Sequence, residues 1–111
     1  MSRSLENAVV GALTNASVNT LLTVPSDHKF EVVDVSYSHT LATAATFYLI
    51  ASGTGAGALD EVTIAPGKLI EHRQYSSLVL YEGWTLAVIP VFTGADNCGC
   101  SVSYVDVDFT T

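Results

Sequence analysis

The chain has 111 residues, the size of one ordinary domain, and needs no disulfide or metal staple to fold. Hydrophobic residues make up 49% of it and charged residues only 14%, against roughly 25% charged in an average domain, so part of the apolar content is expected to be buried between subunits. Eleven acidic residues oppose four scattered cations, Arg3, Lys29, Lys68 and Arg73, for a net charge of −7, which argues against nucleic acid or an anionic membrane surface as a partner, because both are bound by clustered Lys and Arg.

The opening run, Met1 to Leu13, faintly imitates a signal peptide. Its apolar stretch from Ala8 is too short, and Glu6 and Asn7 interrupt its approach, so it is read as part of the mature chain. Within a single domain, residues 1–18 are expected to form an N-terminal arm or first strand and residues 19–111 a β-sandwich. Asn7 to Ala16 is strand or extended arm, since Asn15 and its β-branched neighbours disfavour a helix. Asn19 to Val24 reads as a strand stopped by Pro25 to Asp27, and Lys29 to His39 as the next. In that strand Val33, Val35 and Tyr37 share one face and Asp34, Ser36 and Ser38 the other. Phe30 and Val32 fall out of phase, which a bulge or a second buried face explains. Thr46 to Ala51 is apolar on both faces, as in a central strand or one at an interface.

Ser52 to Ala58 is a glycine-rich loop without the Lys-Ser/Thr ending or the following helix of a phosphate-binding loop. Glu61 to Ala65 meets the turn pair Pro66 and Gly67, and Lys68 to Gln74 returns, with Leu69 alternating against Lys68 and Ile70. Leu78 to Tyr81 and Trp84 to Phe92 form a further hairpin around Glu82 and Gly83. Pro90 cannot donate to a ladder, so an edge position or a bulge is expected there. After a loop from Thr93 to Asn97, Cys98 to Phe109 closes the domain, with Val105, Val107 and Phe109 expected inward and Asp106 and Asp108 outward. Short strands with turn signals every 8–12 residues or so are the pattern of an all-β fold, an antiparallel β-sandwich of about eight strands, jelly-roll-like in architecture.

Little of this carries reaction chemistry. The spacing of Cys98 and Cys100 puts both on one strand face about 6.5–7 Å apart, at the outer limit for a disulfide, so thiols are expected, as in a reducing cytoplasm. No two of His28, His39 and His72 have metal-ligand spacing on one element, and the Cys-Gly-Cys run lacks the second pair a zinc site needs. Asp106 and Asp108 could help hold calcium with Asp34 or Glu31, but a solvated, aggregation-blocking face is the preferred reading. There is no nucleophile elbow. The chain is therefore expected not to be an enzyme and to take no cofactor and no metal. Among the aromatics, Trp84, Tyr81 and Tyr104 are the candidates for contact with a partner or ligand, Trp84 foremost because it follows a Glu-Gly turn; core packing is the competing use of such rings.

The run Thr20 to Pro25 with its return strand Lys29 to Val35, the turn Ile64 to Lys68, and the turn Leu80 to Leu86 occur here in one order. Together they resemble small virion proteins of tailed bacteriophages over about residues 19–92. The chain departs from that pattern at Trp84, where Asp is usual, and in the Cys-Gly-Cys run. The resemblance implies a β-sandwich or jelly-roll-like virion subunit: a capsid decoration (cement) protein, often a homotrimer, that binds the major capsid protein and bridges its neighbours, or else a tail or fibre component. It implies assembly in the host cytoplasm, a place in the virion, and no catalytic residues. A carbohydrate-binding module is the alternative from a different class.

Overall fold

A computed structural model describes residues 1–52, 58–67, 70–94 and 98–110. Most of the glycine-rich loop, the Lys68–Leu69 alternation and the end of the loop before Cys98 lie outside the described residues. Eight strands follow in order: β1 (Ser2–Val10), β2 (Asn19–Thr23), β3 (His28–His39), β4 (Ala45–Ser52), β5 (Ala58–Ile64), β6 (Ile70–Tyr81), β7 (Thr85–Val91) and β8 (Cys98–Asp108). The expected number is met with a different membership. Residues 70–81 form one continuous strand where two were expected, and the N-terminal segment contributes β1.

The strands form two four-stranded sheets, ordered β1-β8-β3-β6 and β2-β7-β4-β5. Every pair is antiparallel, and β1 with β8, β2 with β7, β3 with β6 and β4 with β5 are all direct partners. The chain is thus one long hairpin, folded at the β4–β5 connection and rolled until β3 meets β8 and β4 meets β7. That winding is the jelly roll, a double sheet whose edges are β1, β6, β2 and β5. The β1–β2, β3–β4, β5–β6 and β7–β8 connections gather at one end. The β2–β3 and β6–β7 turns gather at the other with both termini.

Between the sheets lies one core, centred on Tyr37 and Phe47, whose rings are 5.2 Å apart and tilted by 38°. Phe47, Leu49 and Ala51 of β4 meet Val35 and Tyr37 of β3, with Leu86, Val88, Val102, Cys98 and Cys100 completing the layer. Neither cysteine is in a disulfide. Burial pushes the Cys100 thiol up to about 12, so it stays protonated and packs as a small apolar group. His39 is buried and satisfied: its Nδ1 accepts the Leu41 N–H and its Nε2 donates to the Ala65 carbonyl.

A bulge accounts for the phase break in β3. Val33 is extra relative to β8, whereas on the β6 side residues 75–77 oppose it, so Phe30 and Val32 face the core before it and Val35, Tyr37 and His39 after it. Val33 itself is 42% exposed and does not share the face of Val35 and Tyr37. Pro90 is neither on an edge strand nor at a bulge. It lies within β7, opposite Phe47, just past the point where the β2 ladder ends at Val88, so its missing N–H interrupts no pairing. Its carbonyl accepts the Ala16 N–H instead.

The end of β8 reverses the expected facing. Asp106 pairs with Phe30 and Ser4, and Asp108 with His28 and Ser2. Directly paired side chains share a face, so both aspartates lie on the inner side, in phase with Cys98, Cys100, Val102 and Tyr104. Val105 and Val107 lie on the outer side. Val107 is 0% exposed but outside the core cluster, flanked across the ladder by Arg3 and Lys29, whose stems shield it. Phe109, past the strand, is 52% exposed. Carboxylates are tolerated on the inner side because strands of five to eight residues cannot cover strands of nine to twelve. The longer sheet overhangs there, and its inner-face residues are reached by water.

Candidate functional site

Two regions of the surface differ from the rest, and the first is at the overhanging end. Here His28 Nδ1 donates to Asp106 at 2.7 Å, and its Nε2 is 3.7 Å from Asp108. The hydrogen bond to Asp106, reinforced by the charges of Asp106, Asp108 and Asp27, raises the imidazole above its ordinary value. Asp108 accepts both the hydroxyl and the backbone N–H of Thr110, and these bonds lower its carboxyl.

Beside this cluster the β2–β3 and β6–β7 turns are locked together. Val24 N–H donates to the Trp84 carbonyl and Gly83 N–H to the Val24 carbonyl, while Asp27 N–H donates to the Glu82 carboxylate at 3.0 Å. Gly83 holds φ 82°, which only glycine adopts without strain, and Asp27 holds φ 62°, a left-handed conformation that Asp tolerates. The Phe109 N–H donates to the Asp27 carbonyl and pins the C-terminal turn onto the same corner. The result is a groove of about 450 Å³ lined by Asp27, His28, Lys29, Tyr81, Glu82 and Phe109.

The three aromatic candidates part company here. Tyr81 is 53% exposed and lines the groove. Trp84 is half-buried against the core and meets Tyr81 edge-on, with centroids 5.4 Å apart and planes at 82°. It therefore buttresses Tyr81 instead of presenting its own face. Tyr104 is on the inner side, 4.5 Å from the Phe30 ring, where burial raises its phenol. The sequence marks Asp27 only as part of a turn and Phe109 as an inward-facing residue, so neither is foreseen at the groove.

The second region is the outer face of the shorter sheet. Because Phe47, Leu49 and Ala51 point into the core, Thr46, Tyr48, Ile50 and Ser52 point out, and the ladder aligns them with Val91, Ile89, Ala87 and Thr85. Strand β4 is central in its sheet and also presents an apolar outer side. Val91 is 49% and Tyr48 37% exposed. Glu61, across from Tyr48, is the one charged side chain among the described residues of this face, and its hydrogen bond raises the Tyr48 phenol. Hydroxyls on the flanks pair with one another, Thr46 with Thr63 at 3.0 Å and Ser52 with Thr85.

No group of three or more His, Cys, Asp or Glu among the described residues is placed to hold a metal ion, and no helix is long and apolar enough to cross a membrane. No protein-family model matches the chain, and no significantly similar relative was found among curated proteins.

Proposed function

We propose that this chain is a structural virion protein, a capsid decoration (cement) subunit that forms a homotrimer and bridges neighbouring copies of the major capsid protein. The observation that carries the reading is the outer face of the shorter sheet. It aligns Tyr48 with Ile89, Ile50 with Ala87 and Thr46 with Val91, and Glu61 is its one charge among the described residues. A patch of exposed Val and Tyr with half-buried Ile and so little charge has the composition of an interface core, from which charged residues are depleted. In a domain with only 14% charged residues, covering this face by association removes Tyr48 and Val91 from water. Jelly rolls recur in viral capsid proteins, which is support by analogy of fold, and the turn pattern over residues 19–92 resembles tailed-phage virion proteins.

The mechanism is geometric. A rigid sandwich contacts several lattice subunits at once, and many weak contacts at high effective concentration sum to firm attachment. The test is co-sedimentation of the purified chain with undecorated shells assembled from the major capsid protein of the same virus. Saturable binding at lattice symmetry sites is expected, with shells made more resistant to heat. If the shells bind nothing while purified tails or fibres do, the tail or fibre role replaces this one.

A further inference from the structure

We infer that the groove at the overhanging end is a carbohydrate site that takes an uncharged hexose or N-acetylhexosamine unit. It goes beyond the assembly role and uses a surface remote from the apolar face. Its volume of about 450 Å³ falls within the roughly 300–1,000 Å³ of small-ligand sites. The rings of Tyr81 and Phe109 are 53% and 52% exposed, and both line it. Two exposed aromatic residues on one groove offer apolar surface to a ligand, and an aromatic face is the natural partner for the C–H face of a pyranose.

The groove is also lined by groups that suit hydroxyls. Asp27 and Glu82 offer carboxylate oxygens, and Lys29 lines the groove with its ammonium 3.6 Å from Glu31. Glu82 gives one oxygen to the Asp27 N–H, and a carboxylate accepts about four hydrogen bonds, so acceptor capacity remains. His28 is drawn to Asp106 and Asp108. The balance of charge around the groove is therefore negative, which disfavours sialylated, sulfated or phosphorylated sugars. Both turns and the C-terminal turn are fixed by backbone hydrogen bonds, so little ordering is required on binding.

The test uses the full chain on an array of neutral, N-acetylated, sialylated and sulfated glycans, followed by saturation-transfer NMR with the best neutral hit. Binding to at least one neutral glycan is expected, at least tenfold weaker in Tyr81→Ala and in Phe109→Ala and unchanged in Ser103→Lys on the longer sheet's outer face. Circular dichroism and thermal melts check folding; should Tyr81→Ala unfold, Glu82→Gln must itself weaken binding. Silence across the array, a preference for acidic glycans, capture of peptide instead of sugar, or binding indifferent to these substitutions each overturns the assignment.

Discussion

The two outer faces of the sandwich come from one winding of one chain, yet they differ in charge: the longer sheet sets ion pairs beside its exposed Leu5, Val9, Val33 and Ile70, whereas the shorter sheet holds one charge among the described residues. On the longer sheet, Arg3 and Lys29 pair with Glu31, and His72 lies 3.5 Å from Asp34. Ser36 bonds Ser101 at 2.5 Å, and Ser103 bonds Asn7. On the shorter sheet the same layer holds Tyr48, Ile50, Ile89 and Val91 with a fringe of threonines. On the longer sheet the apolar side chains are interleaved with groups that bond water and one another. A face paved with isoleucine and valine is stable only when something else covers it. Fold alone does not separate them, since both alternate with the same core.

Four experiments break or sharpen this contrast. The largest effect is expected within β4 itself. Phe47→Ala, emptying the core, should cost about 3–5 kcal/mol, whereas Tyr48→Ala, one residue on and facing out, should cost about 0.5 kcal/mol or less. Urea denaturation of both in the Ile89→Lys background keeps association out of the comparison. Next, Ile89→Lys, which would bury an unpaired charge in the proposed interface, should weaken self-association at least about a hundredfold, equivalent to about 3 kcal/mol. Ser103→Lys on the opposite face should leave the measured mass unchanged.

A smaller effect separates two glycines. A methyl on Gly99 would sit 3.1 Å from Ser38 Oγ and 3.3 Å from the Val10 carbonyl, while one on Gly11 meets nothing within 4 Å. Gly99→Ala should cost about 1–3 kcal/mol and Gly11→Ala about 0.5 kcal/mol or less, read from thermal melts.

The smallest concerns the overhanging end. The His28 pKa is raised on folding, chiefly by Asp106, so its stabilisation is complete below the unfolded value near 6.5 and is lost as pH rises through the higher folded value. Melting temperatures of the wild type should fall across that window more steeply than those of His28→Gln. Parallel curves would detach the imidazole from the aspartates.

Much of the architecture was legible because turn residues and alternation are local. Pro25, the Pro66–Gly67 pair and the Glu82–Gly83 pair each mark a real turn, and the out-of-phase Phe30 and Val32 announced a bulge. What failed was facing where two phases compete. Val105, Val107 and Phe109 look like a core stripe, but the phase of β8 is set from its start, by Cys98, Cys100 and Val102. Val107 is hidden by neighbours on the outer face, which no local pattern shows. Pro90 misled for a related reason: what it needs is a vacant ladder position, and that depends on where β2 stops. Trp84 and Tyr81 were visible in sequence, but their division of labour was not. The groove is assembled from two turns and a chain end that meet only after the roll closes.

The most direct measurement of the central claim is the solution mass by size exclusion with light scattering over a range of concentrations. A concentration-independent trimer is expected, about three times the 11.7 kDa chain, that falls to one chain in Ile89→Lys. A wild-type monomer at every concentration, with the apolar face of the shorter sheet bare in water, would contradict it.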